Sequence, residues 1–315
     1  MSSLIEQAAR RLEQLRQAGV EIPEQNLLQP AAEAPPAPVS APAGLPGPAE
    51  AADAKPLSKR VELDLEALAA QGYIAPHVPR SHIADQYRVI KRPLIKNAMG
   101  KGAASINHAN LIMVTSALAG EGKSFTSLNL ALSIAAEMDN TVMLVDADVA
   151  RPSVLRVLGL PAGPGLLDVL QGTADMSDVL LRTNVDKLTL LPSGTPQARA
   201  TEMLASDAMT NMLNDMAQRY SDRIIIFDSP PLLLTTESRV LASHMGQIVV
   251  VVHAEKTQQS AVQQALATIE SCPVKMLLLN QAAENAAGAY GYGYGYGYGY
   301  GYGYGYGNEA PKEPT

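Results

Sequence analysis

Residues 110–129 read NLIMVTSALAGEGKSFTSLN. An apolar run of β character, Leu111-Ile112-Met113-Val114, opens the stretch, and a small-residue loop follows from Ser116 to Gly122. Lys123-Ser124 comes next, and residues from Phe125 through Ala136 have helical character. Strand, glycine loop, Lys-Ser and helix in this order make the P-loop arrangement. Gly120 and Gly122 let the backbone curl so that successive N–H groups point inward at phosphate oxygens. A helix beginning near Lys123 adds the positive end of its dipole. Lys123 can reach the β- and γ-phosphates of a nucleotide, and the Ser124 hydroxyl can bind Mg²⁺. The pattern departs at its first glycine, which is here Ala117. The bland alternative is a glycine-containing turn ahead of an ordinary helix.

Two further strands end in acids. Thr141–Val145 is apolar and runs into Asp146-Ala147-Asp148, and Arg223–Phe227 leads into Asp228-Ser229-Pro230-Pro231. Carboxylates at the C-terminal ends of strands lie on the ligand edge of an open α/β sheet. Asp228 holds the position of a Walker B acid, which binds Mg²⁺, usually through water. A polar turn with a helix cap is the plain reading of Asp146 and Asp148. Buried strands at Leu188–Pro192, Ile248–Val252 and Met276–Leu279, the last closing at Asn280, alternate with helices at Ser153–Leu158, at Leu166–Gln171 and in one stretch reaching Tyr220. This alternation predicts an α/β fold, P-loop NTPase-like, with a mostly parallel sheet and helices on both faces.

Composition bounds the alternatives. The chain has 315 residues and a net charge of −7, which argues against a nucleic-acid partner. A single cysteine, Cys272, allows no intrachain disulfide and suits a reducing cytoplasm. No apolar run approaches 18 residues and no signal core opens the chain, so membrane association is expected to come through a partner.

The two ends differ from the middle. Residues 1–28 begin with an amphipathic pattern, Leu4, Ile5, Ala8, Leu12 and Leu15, that predicts a docking helix. Residues 29–57 are rich in Pro and Ala and read as an extended linker. Residues 58–287 form the expected globular domain, beginning with helical spacing over Val61–Gln71. A second helix is expected over Ile83–Ala98, interrupted near Pro93, with a charged face of Asp85, Arg88, Lys91 and Arg92. Residues 288–315 form a tail in which every second residue from Tyr290 to Tyr306 is tyrosine and the others are glycine. Nine of the 12 tyrosines lie there, on a segment expected to be mobile because alternating glycine defeats helix and weakens strand. Next to a phosphoryl-transfer site they would form an array of phenol acceptors.

Taken together, ALAGEGKS, MLVDADVARP, IIIFDSPP and the tyrosine tail resemble the bacterial tyrosine kinases of capsule and exopolysaccharide systems, over roughly residues 80–306. Within that family the resemblance is to the stand-alone autokinases of exosortase-type loci. It implies that ALAGEGKS is Walker A, Asp146–Asp148 is Walker A′ and Asp228 is Walker B. It implies nucleotide contacts from Ala119, Gly120, Glu121, Gly122, Lys123, Ser124, Phe125 and Asn280. Lys123, Asp146 and Asp148 would be catalytic, with Asp146 orienting or deprotonating the phenol, and Ser124, Asp146 and Asp228 would form the Mg²⁺ site. Transfer from ATP would go to Tyr290, Tyr292, Tyr294, Tyr296, Tyr298, Tyr300, Tyr302, Tyr304 and Tyr306 of a neighbouring subunit. The family's D-x-R meets Ala150 here, with Arg151 next. Its E-x-x-R-x-x-R interface helix is matched only by Asp85, Arg88 and Lys91. Implied partners are a ring-like homo-oligomer, a Wzz-like membrane chain-length regulator that recruits the protein to the inner membrane, and a tyrosine phosphatase. Two other readings stay open: a positioning ATPase of the Min and ParA type, and a non-catalytic nucleotide-binding scaffold.

Overall fold

The structure is a computed structural model, which describes residues 59–75, 81–219 and 222–283. The expected docking helix, linker and tyrosine tail lie outside the described residues.

Seven strands form one sheet in the order β3-β4-β2-β5-β1-β6-β7. They are β1 (Leu111–Ser116), β2 (Thr141–Asp146), β3 (Leu181–Arg182), β4 (Leu188–Leu191), β5 (Arg223–Asp228), β6 (Gln247–His253) and β7 (Val274–Asn280). Every pairing is parallel except β3 with β4. The central strands are apolar at nearly every position because helices cover both faces. Side-chain alternation divides the core. Leu111, Met113, Met143, Val145, Ile225 and Phe227 point to one face; Ile112, Val114, Val142, Leu144, Ile224 and Ile226 point to the other.

The first face carries α5 (Leu166–Gln171), α7 (Ala200–Leu204), α8 (Asp207–Arg219), α9 (Glu237–Ala242) and α10 (Gln259–Ala267). The second carries α1 (Leu65–Ala70), α2 (His82–Ala98), α3 (Lys123–Ala135) and the short α4 (Val154–Val157). One more short helix, α6 (Met176–Val179), leads into β3.

Several boundaries differ from the pattern-based expectation. Helical spacing began at Val61, but α1 starts at Leu65, because Asp64 caps it by accepting the Ala67 N–H at 2.9 Å. The preceding residues run extended, with Arg60 bridging to Arg182 and Leu63 N–H donating to Asn184 Oδ1. Pro93 does not interrupt α2, which is continuous from His82 to Ala98. Pro93 has no N–H for the Val89 carbonyl, but Val89 is 74% exposed, so water can serve that oxygen. The single helix expected to reach Tyr220 is two, α7 and α8. Ser206 separates them, and its hydroxyl accepts the Met209 N–H at 3.3 Å. α6, α9, α10 and the antiparallel β3 had no counterpart in the sequence pattern.

The charged face of α2 is not uniform. Asp85 and Arg88 are exposed and pair with each other. Lys91 is 4% exposed, and its ammonium sits 2.8 Å from Glu137 and also binds the Ser133 carbonyl. Lys91 therefore anchors α2 to the end of α3 within the chain, and of the three residues expected at an interface it is the one turned inward. Gln247, fully buried, pins the other end of α2 by donating to the Leu94 carbonyl at 3.1 Å and accepting from Asn97 at 2.9 Å.

Lys91→Ala is expected to lower unfolding free energy by about 1.5–3 kcal/mol, the range for hydrogen bonds to charged groups. Arg88→Ala should change it by less than about 1 kcal/mol, as for exposed pairs. Urea titration of the two variants checks the contrast.

Candidate active site

β1 sits between β5 and β6, and the loop after it leads into α3 at the C-terminal edge of the sheet. Gly120 and Gly122 adopt φ of 83° and 94°, the left-handed region that glycine enters without steric cost. A Cβ on Gly122 would also lie 2.1 Å from the Asn280 amide nitrogen. That amide donates to the Glu121 carbonyl at 2.9 Å, so the end of β7 braces the loop. Gly122 caps α3 without a side-chain bond, which leaves the first N–H groups of α3 to an anion. Ala117, in place of the usual first glycine, is fully buried and outside the left-handed region, so its methyl packs in the core at no backbone cost.

Glu121 does not face the solvent. It is 3% exposed, accepts the Leu118 N–H at 2.6 Å through Oε2, and accepts the Thr257 hydroxyl through Oε1. The loop is thus held at two points, by Thr257 after β6 and by Asn280 at the end of β7. Thr257 escaped the sequence reading because it lies 136 positions from Glu121 in no recognisable motif.

The acids converge. Asp146 and Asp228 are partners in the β2–β5 register, side by side at the strand tips. Asp148 lies two residues on and takes the Lys123 ammonium at 2.8 Å. Asp228, fully buried, accepts from the Ser127 hydroxyl at 3.1 Å. Asp146 is 1% exposed; its Oδ2 accepts the Ser153 and Val154 N–H groups at 3.0 and 2.9 Å, while its Oδ1 is buried with no hydrogen-bond partner. Burial, and then the Asp228 charge, push the Asp146 carboxyl up to about 7. Burial also raises Asp228, against the pull of Lys123. Ser153, read from the sequence only as the start of a helix, donates its hydroxyl to Ser124 at 2.9 Å.

A cleft of about 450 Å³ opens over this group, walled by Gly120, Lys123, Asp148, Arg151, Arg156 and Pro231. Arg151 is held at the rim through its backbone N–H, which donates to Asp148 Oδ1 at 3.1 Å. Arg156 also lines an adjoining cleft of about 390 Å³ with Asp146, Leu155 and Pro196. Of the expected nucleotide contacts, Phe125 lies outside the phosphate cleft and packs against Tyr73, ring centroids 4.9 Å apart and planes tilted by 42°.

Among the described residues no three His, Cys, Asp or Glu side chains form a metal cluster. Mg²⁺ does not need one. It keeps waters and takes one or two carboxylates beside phosphate oxygens. The unpartnered Asp146 Oδ1, the Asp228 carboxylate and the Ser124 hydroxyl suit that demand.

Residues 109–281 match the AAA_31 family, an AAA domain. The tyrosine-protein kinase YwqD of Bacillus subtilis (strain 168) is 30% identical over 204 residues, covering 65% of this chain and 82% of that protein. The chain belongs to the bacterial tyrosine kinases. The tyrosine-protein kinase ptk of Acinetobacter johnsonii is 35% identical over 188 residues, which are 59% of this chain but only 25% of that longer protein. The VpsO kinase domain superposes with a TM-score of 0.52 at 26% identity, over 64% of this chain and all of that domain. In this kinase the glycine loop after β1 and the acids at the ends of β2 and β5 lie at the same edge of the sheet. Among the described residues no helix is long and apolar enough to cross a membrane.

The raised Asp146 carboxyl has a consequence for stability. The carboxyl stands at about 7 in the fold against an ordinary 3.8, so its contribution is full below about pH 4 and is lost as pH rises through 7. In nucleotide-free buffer, Asp146→Asn is expected to stabilise the protein at pH 8 by at least about 1 kcal/mol, with the gain shrinking toward pH 5. Urea titration at both pH values measures it.

Proposed function

We propose that the chain is an ATP-dependent autokinase that transfers the γ-phosphoryl group to C-terminal tyrosines of a neighbouring copy, in the control of capsule or exopolysaccharide synthesis. One observation carries the reading. Lys123 and Ser124 after β1, Asp146 and Asp148 at the end of β2 and Asp228 at the tip of β5 converge at one edge of the sheet, where Lys123, Ser124 and Asp148 line the cleft, and the same chain holds nine tyrosines in a repeat.

The chemistry follows from the geometry. Phosphoryl transfer needs positioning and charge neutralisation more than covalent help. The open N–H groups of α3 receive the phosphates. Lys123, already inside the cleft on Asp148, turns its ammonium to the β/γ oxygens. Asp146 orients the phenol and takes its proton, the phenol oxygen bonds to the γ-phosphorus, and the bond to ADP breaks. Mg²⁺, held by Ser124, Asp228 and Asp146, would neutralise charge on the β- and γ-phosphates. Arg151 and Arg156 at the rim supply cationic charge where Ala150 offers none.

Self-assembly through the Asp85–Arg88 face of α2, recruitment to the inner membrane by a Wzz-like regulator, and reversal by a tyrosine phosphatase complete the proposal. The Min and ParA type usually carries a second lysine early in the loop, where this chain has Ala117 and Leu118, and that departure and the tail disfavour it.

Lys123→Met is expected to abolish tyrosine labelling by ATP with an unchanged circular dichroism spectrum. Labelling at the wild-type rate would mean that the site is misassigned. Thr257→Val should raise the nucleotide dissociation constant on the order of tenfold, the effect of one unsatisfied buried acceptor, and Thr257→Ser should restore it; calorimetric titration reads both. For transfer between subunits, Lys123→Met protein with its tail intact is mixed with active protein lacking residues 290–306. Phosphotyrosine on the inactive partner is the expected result; an unlabelled tail beside a demonstrably active partner points to transfer within one chain.

A further inference from the structure

β7 is the last strand of the sheet, and its outer edge pairs with no described strand. Exposed strand edges are normally blunted by charge, proline or a bulge, since their unpaired N–H and C=O groups invite another strand. β7 has none of these guards. Its one charged residue, Lys275, is turned back along the chain, where its ammonium binds the carbonyls of Glu270 and Cys272 at 3.2 and 2.7 Å. Leu277 and Leu279, on one face of the strand, are 59% and 64% exposed. On the other face Met276 and Leu278 pack on the core below α2. Among the described residues the kinase therefore presents an open, unguarded edge with two bare leucines beside it.

The same chain carries a segment of matching period. From Tyr290 to Tyr306 tyrosine and glycine alternate strictly. In an extended strand every tyrosine would lie on one face and every glycine on the other. Alternating glycine makes such a strand too weak to stand alone, but an existing edge supplies the template and the tyrosines supply high strand propensity. The connection is short. Residues 281–289 separate β7 from the repeat, and Gln281 turns out of the strand direction with φ of 56°. A parallel return needs a dozen or more residues, whereas an antiparallel one needs only a turn. Tethered on nine residues, which span roughly 15–18 Å as a flexible coil, the repeat is held close to the edge of its own chain.

We propose that the Tyr-Gly repeat adds to the outer edge of β7 as an antiparallel strand of the same chain, with its tyrosine rings over Leu277 and Leu279. The glycine face then lies toward α2, where Val89 stands exposed and side chains would crowd. β7 has seven residues, so it holds about seven of the seventeen in the repeat and leaves the remainder to reach a neighbour. If the proposed autokinase activity acts on this segment, each phosphate adds about −1.5 to −2 charges. These would fall on side chains roughly 6.6–6.8 Å apart along one face, and the phosphorylated repeat leaves the edge.

The docking test does not depend on that activity. Hydrogen exchange of the β7 amides is followed in phosphatase-treated, nucleotide-free full chain and in a chain lacking residues 290–306. Outward amides of residues 274–280 are expected to exchange at least tenfold more slowly in the full chain. Leu277→Lys and Leu279→Lys, both at exposed positions, should match the deletion, while Val89→Lys should not. Equal β7 exchange with and without the repeat overturns the proposal. So does protection that disappears on dilution together with a fall in mass by light scattering, which assigns the added strand to a second copy. Loss of protection in Val89→Lys alone places the tyrosines in the α2 groove instead and also overturns it. Lost tyrosine labelling with β7 protection intact would count against the kinase reading only.

Discussion

Three carboxylates stand at the tips of two adjacent strands, and one ammonium, Lys123, is placed among them. Much of the site follows from this imbalance. Parallel pairing of β2 with β5 in the register Asp146–Asp228 makes the crowding unavoidable, and burial removes the water that would ordinarily screen it. The fold relieves it with donors: Ser127 on Asp228, the Ser153 and Val154 N–H groups on Asp146, and Lys123 on Asp148. It does not relieve it completely. Asp146 Oδ1 stays without a partner, and its carboxyl titrates near neutrality. An acidic pocket with one unsatisfied oxygen and an uncapped helix N-terminus is poised for a cation, a phosphate and a proton.

The supports of this pocket come from far along the chain. Glu121 is held by Thr257, and Gly122 by the closeness of Asn280. The nucleotide loop is therefore attached to the ends of β6 and β7, the side of the sheet opposite the acids. This arrangement also ties the loop to β7, the strand whose outer edge is open. A change at that edge has a short mechanical path to the phosphate site through Asn280, by way of a single hydrogen bond of 2.9 Å.

The α2 helix shows how charge pattern and role separate. Asp85, Arg88 and Lys91 have one spacing and one composition, yet Asp85 and Arg88 meet solvent while Lys91 is drawn under the helix to Glu137. Only the packing of α2 on α3 distinguishes them. Similarly, Pro93 reads as an interruption in sequence but leaves α2 continuous, with the orphaned carbonyl belonging to the exposed Val89.

What the amino-acid sequence determined by itself was local. The glycine loop, the lysine after it, the apolar strands ending in acids and the tyrosine repeat all rest on neighbours within a few residues, where backbone freedom, strand period and helix dipole act. From these the α/β class, the nucleotide site and the family could be read. The tertiary structure alone decided the rest. It set the strand order that puts Asp146 beside Asp228, the burial that raises Asp146, the Thr257 and Asn280 braces, the internal use of Lys91 and the bare edge of β7. Each of these depends on groups far apart in the chain, and their energies, desolvation and buried hydrogen bonding above all, exist only once the sheet has assembled and excluded water.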